Sequence, residues 1–289
     1  MPLDQPALEE TNDSGEKEMS FLEHLEELRW HILRSAIAII VFTVVAFIFI
    51  GDIYNAVILG PSRPDFWTYR MMCKLSQMTG YTDLCVTKID LTLQNRQLAG
   101  QFTMAMLSAF IIGLVFTFPY LFWEVWRFIA PGLKKAEKKA ARGAVFYVTM
   151  LFFMGVLFGY YIVSPLAINF LANFKLDETI SNQFDITSYI SVLATLTLAA
   201  GLAFQLPVVA FVLSKVGIVN PKFMREYRKH AYILILVLAG IITPSPDLIS
   251  QVLVSIPLVI LYELSIGVSA RVEKARNEDE LATDGMEDN

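Results

Sequence analysis

The chain has 289 residues, 55% of them hydrophobic and 18% charged, with a formal net charge of −5. That balance excludes an ordinary soluble domain and describes a multispanning membrane protein, while the negative charge argues against nucleic acid as a partner. Lys17 is the one basic side chain among the first twenty residues, so the basic start of a cleaved signal peptide is missing and the N-terminus is expected to stay on the protein.

Residues 1–19 are rich in carboxylates and predict a disordered cytoplasmic tail. Ser20 to Arg34 then reads SFLEHLEELRWHILR and runs without a turn signal into the apolar stretch Ile37 to Ile50. Ser20 with Glu23 forms an S-x-x-E capping box, and Phe21, Leu25, Leu28 and Ile32 share one helical face. Glu23, Glu26 and Glu27 therefore gather at a membrane surface, an acidic face poised for a cationic partner.

Six apolar stretches follow in the chain, at roughly 31–51, 98–122, 144–165, 188–213, 230–243 and 248–268. The predicted fold is an all-α membrane protein of six transmembrane helices within a domain covering 20–270, followed by a disordered acidic cytoplasmic tail over 271–289. An even number of spans puts both termini on one side, and the basic residues choose the side. Arg127, Lys134, Lys135, Lys138, Lys139 and Arg142 lie between spans two and three, and Lys215, Lys222, Arg225, Arg228 and Lys229 between spans four and five. Both termini are then cytoplasmic, with Trp30, Trp123 and Trp126 as an aromatic belt at that interface. The stretch 52–97 becomes a long periplasmic loop. It holds Cys73 and Cys85 in a compartment that permits a disulfide, with two free thiols as the other reading.

A bilayer core of about 30 Å needs about 20 apolar residues, and His230 to Thr243 falls short of that before Pro244. Pro119, Pro207 and Pro257 interrupt spans two, four and six, so the helices are expected to be kinked and the body concave. Glu124 and Glu263 fall near the cytoplasmic ends of spans two and six, where they can reach headgroups, and Asp247 falls in the turn between spans five and six. Gln205, in LAFQLPVV, is the one strongly polar side chain well inside a span. Its amide either bonds within the protein or meets a partner's transmembrane helix.

No phosphate loop, nucleophile elbow or H-E-x-x-H pair occurs in the chain. His24 and His31 stand about 10.5 Å apart along a helix, too far to share a metal. The sequence therefore predicts no enzyme, no metal and no cofactor. After Trp126 the chain reads RFIAPGLKKAEKKAARG, with Glu137 the lone acid among lysines. Either those lysines neutralise it, or Glu137 and the N-terminal carboxylates line one groove, each able to take a guanidinium in a bidentate grip.

HLEELR at His24 to Arg29, FIAPGLKKAEKK at Phe128 to Lys139, YIVSPLAINFLA around Pro165, AFQLP around Gln205 and TPSPDLISQVLVSIPLVILYE at Thr243 to Glu263 resemble, in order, the blocks of the TatC family. That family is the multispanning core of the twin-arginine protein translocase in the bacterial inner membrane. The resemblance covers nearly all of Ser20 to Ala270. It implies a receptor for signal peptides bearing paired arginines, carried by Glu27 and Glu137 with Arg29, Phe128, Pro131 and Leu133 in support. It also implies partners: folded cargo proteins with such signal peptides, single-span TatA- and TatB-type subunits, membrane lipids, and further copies of itself within the complex. Passage is driven by the proton-motive force, and Gln205 occupies a position associated in the family with partner-helix contact. His31 departs from the pattern, since many relatives carry another basic residue there. The competing functions are a small-solute or ion transporter, which calls for intramembrane charges or repeats, and a membrane insertase.

Overall fold

Long runs of apolar residues free of turn signals give long helices, because in a membrane every backbone donor has to be satisfied within its own segment. The computed structural model describes residues 21–80, 85, 89, 91–129, 135–175, 177, 179, 182–215, 217–242 and 248–287. Pro131, Leu133, Asp247 and the N-terminal tail 1–19 lie outside these residues, and Glu137 is described by its backbone alone.

In chain order the helices are α1 (Phe21–Ile48), α2 (Ile50–Ile53), α3 (Trp67–Thr79), α4 (Gly100–Ile129), α5 (Lys135–Phe158), α6 (Ser164–Asn173), α7 (Ile186–Ala203), α8 (Leu206–Lys215), α9 (Pro221–Glu226), α10 (Arg228–Ile242) and α11 (Leu248–Glu287). A π-helical turn, Gly159–Val163, joins α5 to α6. Two-residue strands β1 (Leu93–Gln94) and β2 (Phe184–Asp185) pair in parallel. Among the described residues, five segments are long and apolar enough to cross a membrane: Glu26–Ile48, Gly100–Phe128, Val145–Asn173, Ile186–Lys215 and Val254–Ala275. The remaining apolar stretch forms α10, whose 15 residues reach about 22 Å at 1.5 Å per residue.

Proline acts differently at its three positions. Pro207 has no N–H for the carbonyl of Ala203, and the helix breaks there, with Phe204 and Gln205 separating α7 from α8. Pro119 and Pro257 lie inside continuous helices.

Small residues set the closest approaches, as packing in lipid requires, since lipid supplies no hydrophobic drive between helices. A side chain at Gly113 of α4 would come 2.7 Å from the backbone nitrogen of Thr43 on α1. Gly155 of α5 and Gly159, the first residue of the π-helical turn that continues it, make a G-x-x-x-G face. A Cβ there would lie 2.7 Å from the Ala200 carbonyl and 2.9 Å from Thr197 Cα, so α5 and α7 run backbone to backbone. Val163, Leu196, Phe204, Ile235, Val254 and Leu258 form the main buried cluster, which ties α7, α10 and α11 together.

The described residues of the stretch 52–97, expected as a periplasmic loop, include α3 and form a cap on the helices. Tyr69 of α3, 1% exposed, donates its hydroxyl to the carbonyls of Pro61 (3.0 Å) and Pro165 (2.9 Å). Tyr189 donates to Ile58 O (2.7 Å) and Tyr160 to Val57 O (2.7 Å). Burial lifts the Tyr69 phenol far above its ordinary range, so it stays a donor. Cys73 and Cys85 are joined in a disulfide.

The acidic segment after Ala270 also departs from expectation, because α11 continues to Glu287. Residues 271–287 extend a helix that already exists, so they avoid the nucleation cost, and they are rich in Glu, Ala, Lys and Arg. Lys274 and Glu278 add an i,i+4 ion pair at 3.7 Å.

Candidate functional site

α1 and α4 run antiparallel along their length. Phe47 meets Phe102 at one end, Thr43 meets Gly113 in the middle, and His31 meets Glu124 at the other end. The candidate site lies at this last end, where α1 begins and α4 leads toward the Lys-rich start of α5.

Glu124 stands at the centre of the site, its side chain 1% exposed. Tyr120, one turn earlier on α4, donates its hydroxyl to Glu124 Oε1 at 2.9 Å, and His31 Nδ1 hydrogen-bonds the other oxygen, Oε2. Arg34 Nη1 lies 4.0 Å from the same Oε2. A carboxylate taken out of water costs several kcal/mol unless its lone pairs are filled and its charge met. Two hydrogen bonds and a nearby guanidinium meet that requirement here. The expectation that Glu124 reaches headgroups is therefore corrected. The face of α4 that carries Tyr120 and Glu124 is the face that α1 covers, and His31 takes the place that solvent would have.

His31 reaches in both directions. Its Nδ1 faces Glu124 and its Nε2 stands 4.0 Å from Oε1 of Glu27, four residues earlier on α1. The Glu27 side chain is 40% exposed and open to a ligand. Phe128 closes the other side, its ring edge-on to His31 with centroids 6.0 Å apart. Glu26, Arg29 and Trp30 are exposed on α1, and on α4 the Arg127 guanidinium lies 5.5 Å over the Trp123 ring.

The sequence-predicted residues thus separate into groups. Glu27 and Phe128 come together through His31, and Arg29 lies exposed on the same helix as Glu27. Glu137 falls within the first turn of α5, while Pro131 and Leu133 lie outside the described residues. Gln205 sits elsewhere, at the α7–α8 break, and donates its amide to the carbonyl of Val148 on α5 at 3.3 Å.

Sequence reasoning named Glu124 and His31 but missed the burial of the acid and its contacts with His31, Tyr120 and Arg34. The signal was present as two i,i+4 spacings, Glu27 with His31 and Tyr120 with Glu124, on helices whose mutual packing no local pattern reveals. The reading of a second acid, Glu263, as one that reaches headgroups also changes. Glu263 of α11 takes Arg228 of α10 in a two-point grip, with Nε and Nη2 each 2.9 Å from a carboxylate oxygen, and accepts the Tyr232 hydroxyl as well. It pins those helices together instead of reaching for headgroups.

Chemically, the site offers an exposed carboxylate on a helix held in place by a buried hydrogen-bonded pair. Such a carboxylate accepts a guanidinium in a fork that an ammonium matches less well.

Residues 23–257 match the family model described as Sec-independent protein translocase protein (TatC). The Sec-independent protein translocase protein TatC of Blattabacterium sp. subsp. Periplaneta americana is 39% identical over 261 residues, covering 90% of this chain and 98% of that protein. TatCy of Bacillus subtilis is 34% identical over 252 residues, covering 87% and 89%. A crystal structure of the twin-arginine translocase receptor TatC, solved in the detergent DDM, superposes with a TM-score of 0.65 at 29% identity, covering 86% of this chain and 99% of that one. A second crystal structure of the same receptor gives 0.61 at 28% identity. With a family model matched over most of its length and relatives above 30% identity aligned nearly end to end, the chain belongs to the TatC family of Sec-independent protein translocase components.

Proposed function

We propose that this chain reads twin-arginine signal peptides on folded cargo, with Glu27 as one guanidinium acceptor and Glu137 as the other. Arg29, Phe128, Pro131 and Leu133 shape the surface around them. The observation that supports this reading is the edge-on contact of His31 with Phe128. It joins the turn of α1 just after HLEELR to the beginning of FIAPGLKKAEKK, which the sequence separates by about a hundred residues. Two arginines need two acceptors, and each segment carries a glutamate that can supply one.

In this reading the chain spans the bacterial inner membrane six times, with α10 as the short fifth span, both termini in the cytoplasm and the recognition surface facing it. The bound signal's apolar part lies against a concave intramembrane face formed by kinked helices. TatA- and TatB-type subunits are then recruited, with the α7–α8 break at Gln205 as a contact for a partner helix, and the proton-motive force drives passage. The short α10 suits a locally thinned bilayer.

The test is binding of a synthetic twin-arginine signal peptide to the purified chain in detergent or nanodiscs. Glu27→Ala and Glu137→Ala are each expected to weaken it by about 1 to 3 kcal/mol, roughly 5- to 150-fold. Unchanged affinity in both variants would end the assignment. Export of a folded reporter, in cells that lack their own TatC and are supplied with this chain and its cognate small subunits, tests the whole function.

A further inference from the structure

The cap helix α3 has two faces with different surroundings. Thr68, Tyr69 and Ser76 are buried against the molecule, whereas Trp67, Met71, Leu75 and Met78, which recur at helical spacing, are exposed, Met78 to 87%. Arg70 and Lys74 are exposed along one edge of that apolar stripe, and α3 contains no acid. We propose that α3 is an interfacial helix lying in the membrane leaflet at the cap end of the molecule. Its apolar stripe sits at the acyl boundary, and Arg70 and Lys74 meet the phosphates of anionic phospholipids.

Continuity with a membrane-crossing wall argues for lipid as the occupant. Trp67, the first residue of α3, lines an apolar cleft of about 440 Å³ with Leu157, Phe158, Tyr161 and Ile162, a volume in the range of small-molecule sites. Its ring stands edge-on to Tyr161, with centroids 5.9 Å apart. Those four partners belong to the segment Val145–Asn173, which is long and apolar enough to cross a membrane. Leu157 of that segment is itself exposed, so the stripe on α3 begins where a lipid-facing surface ends. Facing water, four large apolar side chains on one arc would form the contiguous patch that soluble surfaces rarely carry.

The protein fixes the rotation of α3 about its own axis. Tyr69 donates to the carbonyls of Pro61 and Pro165, and Cys73 is bonded to Cys85. Both residues lie on the side of the helix away from the stripe. At about 3.6 residues per turn, the four apolar positions fall within a quarter-turn, and Arg70 and Lys74 come next to them on one side. Long basic side chains beside an apolar stripe lie along it with their charged ends at the phosphates, and a tryptophan suits the same interface. Asp65 stands before the helix, so along α3 itself that edge carries positive charge alone. Such a face is matched by anionic headgroups.

The experiment puts Met78→Trp into the full chain, disulfide intact, in nanodiscs of phosphatidylcholine mixed with phosphatidylglycerol, and reads the emission added over wild type. Met78 reaches well out of the fold, so the substitution leaves the core undisturbed. The added emission is expected to be blue-shifted, to lose most of its intensity to lipids brominated on the upper acyl chain, and to lose little to aqueous acrylamide. Strong acrylamide quenching with no effect of brominated lipid overturns the proposal by leaving α3 in water. Protection from both quenchers overturns it in favour of a protein cover. At constant ionic strength and equal mole fraction, brominated phosphatidylglycerol is expected to be enriched beside the added tryptophan about fivefold over brominated phosphatidylcholine, the attraction of one basic side chain to an anionic surface. Arg70→Gln together with Lys74→Gln is expected to bring the two lipids to equal quenching. Equal quenching without those two substitutions, or an enrichment that survives them, overturns the pairing of Arg70 and Lys74 with anionic phosphates.

Discussion

Glu124 and Asp185 are both acids beside a helix end, and their surroundings give them opposite work. Glu124 is buried and fixes one helix on another through His31 and Tyr120. Asp185 is half-buried and caps its own helix, accepting the Thr187 amide at 2.9 Å and the Thr187 hydroxyl at the start of α7. That hydroxyl, and then the amide, hold the Asp185 carboxyl below the usual carboxylate range. A carboxyl depressed in the folded state contributes its stabilisation in full above the unfolded value near about 3.9, and loses it as pH falls through the folded value. The first turn of α7 should therefore lose amide protection on acidification below about pH 4, after correction for intrinsic exchange. Asp185→Asn, which caps without ionising, should make that protection independent of pH. The Asp-x-Thr spacing that gives this cap is readable from the sequence alone, because donor and acceptor are two residues apart. The burial of Glu124 is not readable that way, since the covering residue lies 93 positions away.

Along the elements, helix existence follows from apolar length, while helix contacts follow from where side chains are absent. Gly155→Ala would drive a methyl into the Ala200 carbonyl, Phe204 Cβ and Gly201 Cα, none farther than 2.9 Å. Backbone cannot swing aside as a side chain can, so α5 and α7 must separate. The expected cost is about 1 to 3 kcal/mol, seen as a lower unfolding midpoint in detergent. Gly267→Ala, on α11 with nothing within 4 Å, is the control and should be neutral or stabilising by up to about 1 kcal/mol. The G-x-x-x-G pattern of Gly155 and Gly159 is visible in the chain, but the identity of the facing helix is not. Proline shows the same division. Pro119, Pro207 and Pro257 look alike in sequence, yet among them the helix is interrupted at Pro207, where Phe204 and Gln205 leave the helical path and the Gln205 amide turns to Val148 of α5.

At the scale of the molecule, the cap formed by the described residues of 52–97 is held by long-range hydrogen bonds from Tyr69, Tyr160 and Tyr189 and by the disulfide between Cys73 and Cys85. A bridge between residues 12 apart closes a loop whose restriction in the unfolded chain stabilises the fold by about 3 kcal/mol in the chain-entropy model. Reduction under native conditions should lower the thermal midpoint by several degrees, read by intrinsic fluorescence with alkylation to confirm two freed thiols. A midpoint that does not move on full reduction would mean that the tyrosine contacts hold the cap unaided.

What the sequence by itself determined is whatever depends on composition and near neighbours: a membrane-embedded helical chain, the apolar runs that become spans, the short α10, the acidic start of α1 and the family resemblance carried by consecutive residues. The tertiary structure alone decided that His31 and Phe128 join two distant segments, that Glu124 is buried and Glu27 open, and that the described residues of 52–97 form a tyrosine-pinned cap. The reason is physical. Helix formation and membrane partition are sums over local residues, whereas burial of a charge and closure of a contact depend on which surfaces meet, and apolar faces that look alike to lipid leave that choice to small residues and a few polar side chains far apart in the chain.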